Sequence, residues 1–196
     1  MPRPSCLLPL CFCASLLAQT PDPHAADREQ LLKIFREIET SINSQSLERM
    51  TAQMDPQAVV VWSNGEMSRG PKEVLDYYER MVKGKDRILE KYMTKAKLNG
   101  HARFLGDGTV AIADGTMEDE YFPIIRGPFK LDAKWTTTAA KINGEWKVVA
   151  LHLSANVFNN VLIDEAKRAL MLAVGGGLVA GLVLGWLAGR RRARRA

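Results

Sequence analysis

Apolar and polar positions alternate along this chain with a period that changes twice. From Asp27 onward, Leu31, Ile34, Phe35, Ile38 and Ile42 recur at helical spacing. This predicts an amphipathic helix capped by Asp27 and ending near Asn43–Ser44. Ser46 opens a short second helix over Leu47–Gln53, stopped by Asp55-Pro56. Ala58–Trp62 reads as a strand, Ser63-Asn64-Gly65 as a turn, and Glu66–Arg69 as a strand pairing back. Gly70-Pro71 starts a third helix with Val74, Leu75, Tyr78, Met81 and Val82 on one face, ended by Gly84. Beyond it the period is two. Ile88–Leu105, Val110–Phe122, Leu131–Ile142 and Glu145–Phe158 are strands, joined by Gly106-Asp107-Gly108, Pro123–Pro128 and Asn143-Gly144, the last a hairpin signature. Three helices followed by a long meander predict an α+β fold, a curved antiparallel sheet wrapped around about three helices as a cone.

The two ends break both periods. Ala169–Gly189 is 21 residues without a charge. A helix of that length rises roughly 30 Å, enough to cross a bilayer core. Arg190, Arg191, Arg192, Arg194 and Arg195 follow it, and flanking arginines stay on the cytoplasmic side. At the other end, Met1–Ala18 has the three-part plan of a secretory signal, with Arg3, an apolar stretch Cys6–Ala18 and a polar region beyond. The expected organisation is a signal over 1–18, a linker over 19–26, an extracytoplasmic domain over 27–160, a juxtamembrane segment over 161–168, a transmembrane helix over 169–189 and a basic tail over 190–196. The expectation is a single-pass protein of the inner membrane with its domain in the periplasm.

Charge and cysteine content sharpen that picture. The formal net charge is +5, and the five tail arginines account for all of it, so the basic balance is a topology signal and excludes a nucleic-acid footprint. Membrane lipid is the expected partner of the tail. All three cysteines, Cys6, Cys11 and Cys13, fall inside the signal, leaving the domain without a disulfide or a thiol nucleophile.

The order of elements, the segment Trp62-Ser63-Asn64-Gly65, the Gly70-Pro71 helix entry and the last strand, Trp146-Lys147-Val148-Val149-Ala150-Leu151-His152-Leu153-Ser154, resemble the SnoaL-like branch of the nuclear transport factor 2-like superfamily, over about Asp27–Phe158. The resemblance implies a cone with an apolar pocket between sheet and helices, and frequent homodimers. It fixes no activity, since such domains serve isomerases, cyclases, dehydratases and binding modules.

Strict alternation along the last strand puts Trp146, Val148, Ala150, His152, Ser154, Asn156 and Phe158 on one face. By resemblance this face lines the cone. His152 is then the candidate for proton transfer, with Asp114 as a pocket carboxylate or, alternatively, part of a bulge at Asp114-Gly115. Trp62, Tyr78 and Trp135 form an aromatic wall for a flat apolar ligand, or plain core. Glu118-Asp119-Glu120 does not make a metal cluster, because adjacent strand residues point to opposite faces, and it reads as a solvated strand end. The three histidines have no metal-ligand spacing; no metal and no cofactor are expected. In the span, Gly177, Gly181, Gly185 and Gly189 recur every four residues and offer a face for a second helix. Three functions compete: a membrane-anchored module binding a small apolar ligand or assembling as a dimer, an isomerase-, cyclase- or dehydratase-type enzyme using His152, and a structural dimerising anchor whose pocket is filled by its own side chains.

Overall fold

The computed structural model describes residues 22–193; the expected signal and the tail residues Arg194 and Arg195 lie outside the described residues. The elements are α1 (Ala25–Asn43), α2 (Leu47–Thr51), β1 (Met54–Val61), β2 (Met67–Arg69), α3 (Gly70–Tyr78), β3 (Leu89–Leu98), β4 (Arg103–Leu105), β5 (Val110–Pro123), β6 (Phe129–Ile142), β7 (Glu145–Ala155) and α4 (Val161–Ala193). The fold is α+β, with a curved sheet against which the helices pack.

The strands run in the order β2-β1-β7-β6-β5-β3, with β4 paired to the free part of β5. The expected meander is present from β3 to β7, with one difference. β1 lies parallel to β7, joining the N-terminal hairpin to the edge of the meander. The sheet is therefore mixed, and the long excursion through α3 and β3–β6 is what makes a parallel pairing possible. The expected strand Ile88–Leu105 is broken into β3 and β4 at Asn99–Ala102, where Asn99-Gly100 cannot hold a ladder. Asn143 and Gly144 both take positive φ, 51° and 84°, as a two-residue hairpin turn requires.

The helical stripes face the sheet as their spacing predicts. Ile34, Ile38 and Ile42 of α1 pack with Val74 and Tyr78 of α3 against Val60, Val148 and Leu151. Asp27 does not cap α1. The helix begins at Ala25, and the Asp27 carboxylate instead accepts hydrogen bonds from Trp146 Nε1 at 2.8 Å and Lys141 Nζ at 2.7 Å. These bonds hold the carboxyl below the usual range, the Lys141 bond first and the Trp146 bond second. They tie the start of α1 to the β6–β7 hairpin and fix the angle at which the helix crosses the cone.

α3 enters on Gly70, whose φ is +70° and whose missing Cβ would stand 2.6 Å from the Pro56 carbonyl oxygen. Its continuation, Glu79–Lys83, is wound as a π-helical turn and closes on Gly84. α4 leaves the domain as one continuous helix, long and apolar enough to cross a membrane, and none of that stretch is buried by the rest of the chain.

Candidate functional site: an apolar cavity with a buried carboxylate

Between α1, α3 and the concave face of the sheet lies a cavity of about 470 Å³. Its lining is overwhelmingly apolar, which is the make-up of a small-molecule site. The sheet contributes every second residue. Ala111, Ala113 and Met117 come from β5, Trp135 and Ala139 from β6, and Tyr92, Ala96 and Leu98 from β3. Small residues on the floor keep the space open. Gly115 is the extreme case: a Cβ there would stand 1.9 Å from the Lys97 carbonyl oxygen and 2.6 Å from the Trp135 ring, so glycine is what lets that indole lie flat against β5.

The closing strand does not present the face that strict alternation predicts. Thr138 pairs with Ala150 but Ala139 pairs with Val148, so Val149 is an extra residue without a partner on β6. This bulge flips the phase of everything after it. Trp146 and Val148 point inward, then Leu151 and Leu153 take over the lining, while His152, Ser154, Asn156 and Phe158 are exposed. His152 pairs across to Thr136 on the outer face, and the expectation that it lines the cone fails for that geometric reason. Asp114 is also outside. Its carboxylate accepts from Asn99 Nδ2 at 2.9 Å and from Arg103 at 3.0 Å, and these partners, Asn99 first, hold its pKa below the usual value. Asp114 pairs with Thr136 in a β5–β6 ladder that runs through Gly115 without a register shift, while on its other side β3 ends opposite Gly115 and β4 begins opposite Ile112; the carboxylate does not line the cavity, and the β5–β6 pairing has no bulge at Asp114-Gly115. His152 and Asp114 share no site.

Trp62, Tyr78 and Trp135 all line the cavity. Trp62 donates through Nε1 to Ser68 Oγ at 2.9 Å and stacks on Tyr77 with ring centroids 4.1 Å apart. Trp135 stacks on Phe35 and donates to the Thr116 carbonyl.

Behind the wall lies a carboxylate from the run Glu118-Asp119-Glu120, for which the sequence predicts a solvated strand end. Asp119 is 1% exposed. It accepts from Tyr92 Oη at 2.8 Å on one oxygen and from Tyr121 Oη at 3.3 Å on the other. Both tyrosines line the cavity, with Ser63, Asn64 and Tyr77 beside them. Burial pushes the Asp119 carboxyl up, and the hydrogen bonds of Thr94, Tyr92 and Tyr121 offset only part of this. Burial, then the neighbouring carboxylate, lifts the Tyr121 phenol above its ordinary value; burial brings the Tyr77 phenol to about 12. The phase of Ala111, Ala113, Gly115 and Met117 carried the signal, since it places position 119 inward and Glu118 and Glu120 outward. One further lining hydroxyl, Tyr78 Oη, is buried and has no partner among the described residues. A ligand hydrogen-bonding group or a water would complete it. No group of His, Cys, Asp or Glu among the described residues could hold a metal ion.

With this geometry in hand, the similarity to known proteins is one of structure. No family model and no curated protein matches the sequence. A hexachlorocyclohexane dehydrochlorinase, LinA-type3 from Novosphingobium barchaimii LL02, superposes with a TM-score of 0.59 at 14% identity, over 67% of this chain and 87% of that one. A protein with a cystatin-like fold from Caulobacter vibrioides gives 0.56 at 16% identity, over 73% and 96%. An NTF-2 like protein of unknown function from Shewanella oneidensis MR-1 gives 0.50 at 17% identity, over 64% and 97%. The chain has the NTF2-like, cystatin-like fold. These identities establish the architecture and no activity.

Proposed function

We propose that this protein is a membrane-anchored binding module that holds a small, largely apolar molecule in its cone. The observation that carries the reading is the cavity: about 470 Å³ of space, apolar on nearly every side, with the unpaired hydroxyl of Tyr78 and the phenols of Tyr92 and Tyr121, which are bonded to the buried Asp119 behind them, as its polar points. An unfilled apolar space of this size forfeits packing energy, a cost that a bound molecule removes. The same space counts against an anchor packed solid by its own side chains. An acid–base enzyme working through His152 lacks its central group, since that imidazole is exposed on the outer face.

The localisation follows from the ends of the chain. α4 serves as a single-pass anchor in the inner membrane, the arginine tail stays in the cytoplasm, and the domain lies outside it, delivered there by the signal over 1–18. Gly177, Gly181, Gly185 and Gly189 present a face on which a Cβ would meet nothing, which suits association of two spans in a homodimer. Unchanged cross-linking in Gly181→Ile and Gly185→Ile chains would remove the glycine row from the account.

The binding reading is tested by purifying the full chain from its membrane and analysing an organic extract by mass spectrometry. A stoichiometric apolar compound carrying one or two hydrogen-bonding groups is expected. An empty extract, together with an inability to take up added apolar compounds, would count against it.

A further inference from the structure

The residues around the base of α4 form an apolar rim that the cavity does not use. The β5–β6 turn carries Ile124 and Ile125, which are 47% and 93% exposed. The Ile124 amide donates to the Ile88 carbonyl at 3.1 Å, and Ile88 is itself 53% exposed, so three isoleucines share one end of the sheet. Exposed Lys85 and Arg87 lie just before Ile88. The segment entering α4 adds Phe158, 86% exposed. Scattered exposed apolar residues are ordinary; several large ones at one end, next to an apolar helix, mark an interaction surface.

The turn is fastened to the helix. Arg126, next to Ile125, pairs with Glu165 at 2.6 Å, and its guanidinium lies over the Phe129 ring at 4.6 Å. The connection is also structured. Asn156 Oδ1 accepts from the amides of Phe158 and Asn159, and Asn160 Oδ1 accepts from those of Leu162 and Ile163, capping α4. The domain is thus set on its helix by fixed contacts at both sides of the junction.

Depth follows from helix geometry. Glu165 precedes the first residue of the uncharged stretch, Ala169, by four positions, a rise of about 6 Å. The polar layer on each side of a bilayer core is about 5–8 Å thick. The Arg126–Glu165 pair therefore falls within the headgroup layer, and Ile125 beside it reaches the boundary with the acyl chains. We propose that Ile88, Ile124, Ile125 and Phe158 form a footing that inserts into the lipid interface around α4, with the bilayer itself as partner. This rests on the reading of α4 as a membrane anchor. β1 ends in the same direction as β7, so the Ser63–Asn64 end of the cavity faces the lipid side, and an apolar molecule need cross little water to reach it.

The test uses the full chain with Cys6→Ser, Cys11→Ser and Cys13→Ser, reconstituted in phosphatidylcholine vesicles that carry a nitroxide on the acyl chain close to the headgroup. Single cysteines are introduced by Ile125→Cys, Phe158→Cys, Leu172→Cys and, at the exposed far edge of β4, Leu105→Cys, and each is labelled with an environment-sensitive fluorophore; position 172 lies about 4.5 Å beyond Ala169, at the depth of the nitroxide. Labels at 125 and 158 are expected to lose at least half their fluorescence, with the label at 105 unchanged. If 172 is quenched while 125 and 158 behave like 105, the footing is wrong and the anchor stands. If 172 is not quenched either, the anchor reading falls and the footing with it.

Discussion

Replacing Ala113 by leucine asks whether the cone is open. Ala113 lines the cavity from the middle of β5, with its side chain directed into about 470 Å³ of space. Leucine adds three carbons there. At ~0.8 kcal/mol for each buried carbon, the ceiling of the gain is about 2.4 kcal/mol. Ordering the longer side chain costs about 0.5–1 kcal/mol. The net expectation is a stabilisation of about 1–2 kcal/mol, which raises the melting temperature of a domain of this size by roughly 3–7 °C. Thermal unfolding followed by circular dichroism, on residues 22–160 with and without Ala113→Leu, reads the difference. In a closed, native-density core the same change would be overpacking and would cost about 1–3 kcal/mol. A loss of 1 kcal/mol or more would therefore refute the open cavity.

Other outcomes follow from the same geometry. Gly115→Ala places a Cβ against the Lys97 carbonyl and the Trp135 ring, and is expected to cost about 3 kcal/mol or more and to alter the near-ultraviolet signal of that indole. Asp119→Asn removes a titration. Because burial raises the folded-state pKa of Asp119 above 3.8, its contribution to stability is full below that value and is lost as pH climbs to the raised value. Urea unfolding across that acid window is expected to show stability falling with rising pH in the parent and a flatter profile in Asp119→Asn; identical profiles would place the carboxyl in water. A reporter fused after Ala196 is expected to be active only when it works in the cytoplasm, and activity outside would reverse the topology.

Much of the fold was legible in the sequence because its elements are long and strongly periodic. The stripe Leu31–Ile42, the Gly70-Pro71 entry and the Asn143-Gly144 hairpin each carry a local physical signal, and each element forms where that signal places it. What alternation could not show is where it stops. Nothing in Lys147-Val148-Val149-Ala150 distinguishes a bulge at Val149 from regular strand, because the extra residue is set by how β7 must meet β6 and β1 at once. That single residue moved His152 and Ser154 to the outside and brought Leu151 and Leu153 in; Asn156 and Phe158 lie beyond the end of β7 at Ala155. Asp119 was the converse case. Its neighbours Glu118 and Glu120 made the run look solvated, yet the phase of the apolar residues before it already pointed position 119 inward. The parallel pairing of β1 with β7 and the use of Asp27 as a partner for Trp146 are tertiary choices that no local window contains.

The claim on which the rest depends is that the cone accepts an apolar molecule. A titration of residues 22–160 with N-phenyl-1-naphthylamine, followed by probe emission and by quenching of tryptophan fluorescence, tests it in one experiment, since Trp62 and Trp135 both line the cavity. Saturable one-to-one binding that weakens at least tenfold in Ala113→Leu is the expected result. Weak, non-saturating emission that is unchanged by Ala113→Leu would mean that the probe only wets the surface and that the cone is not a binding site.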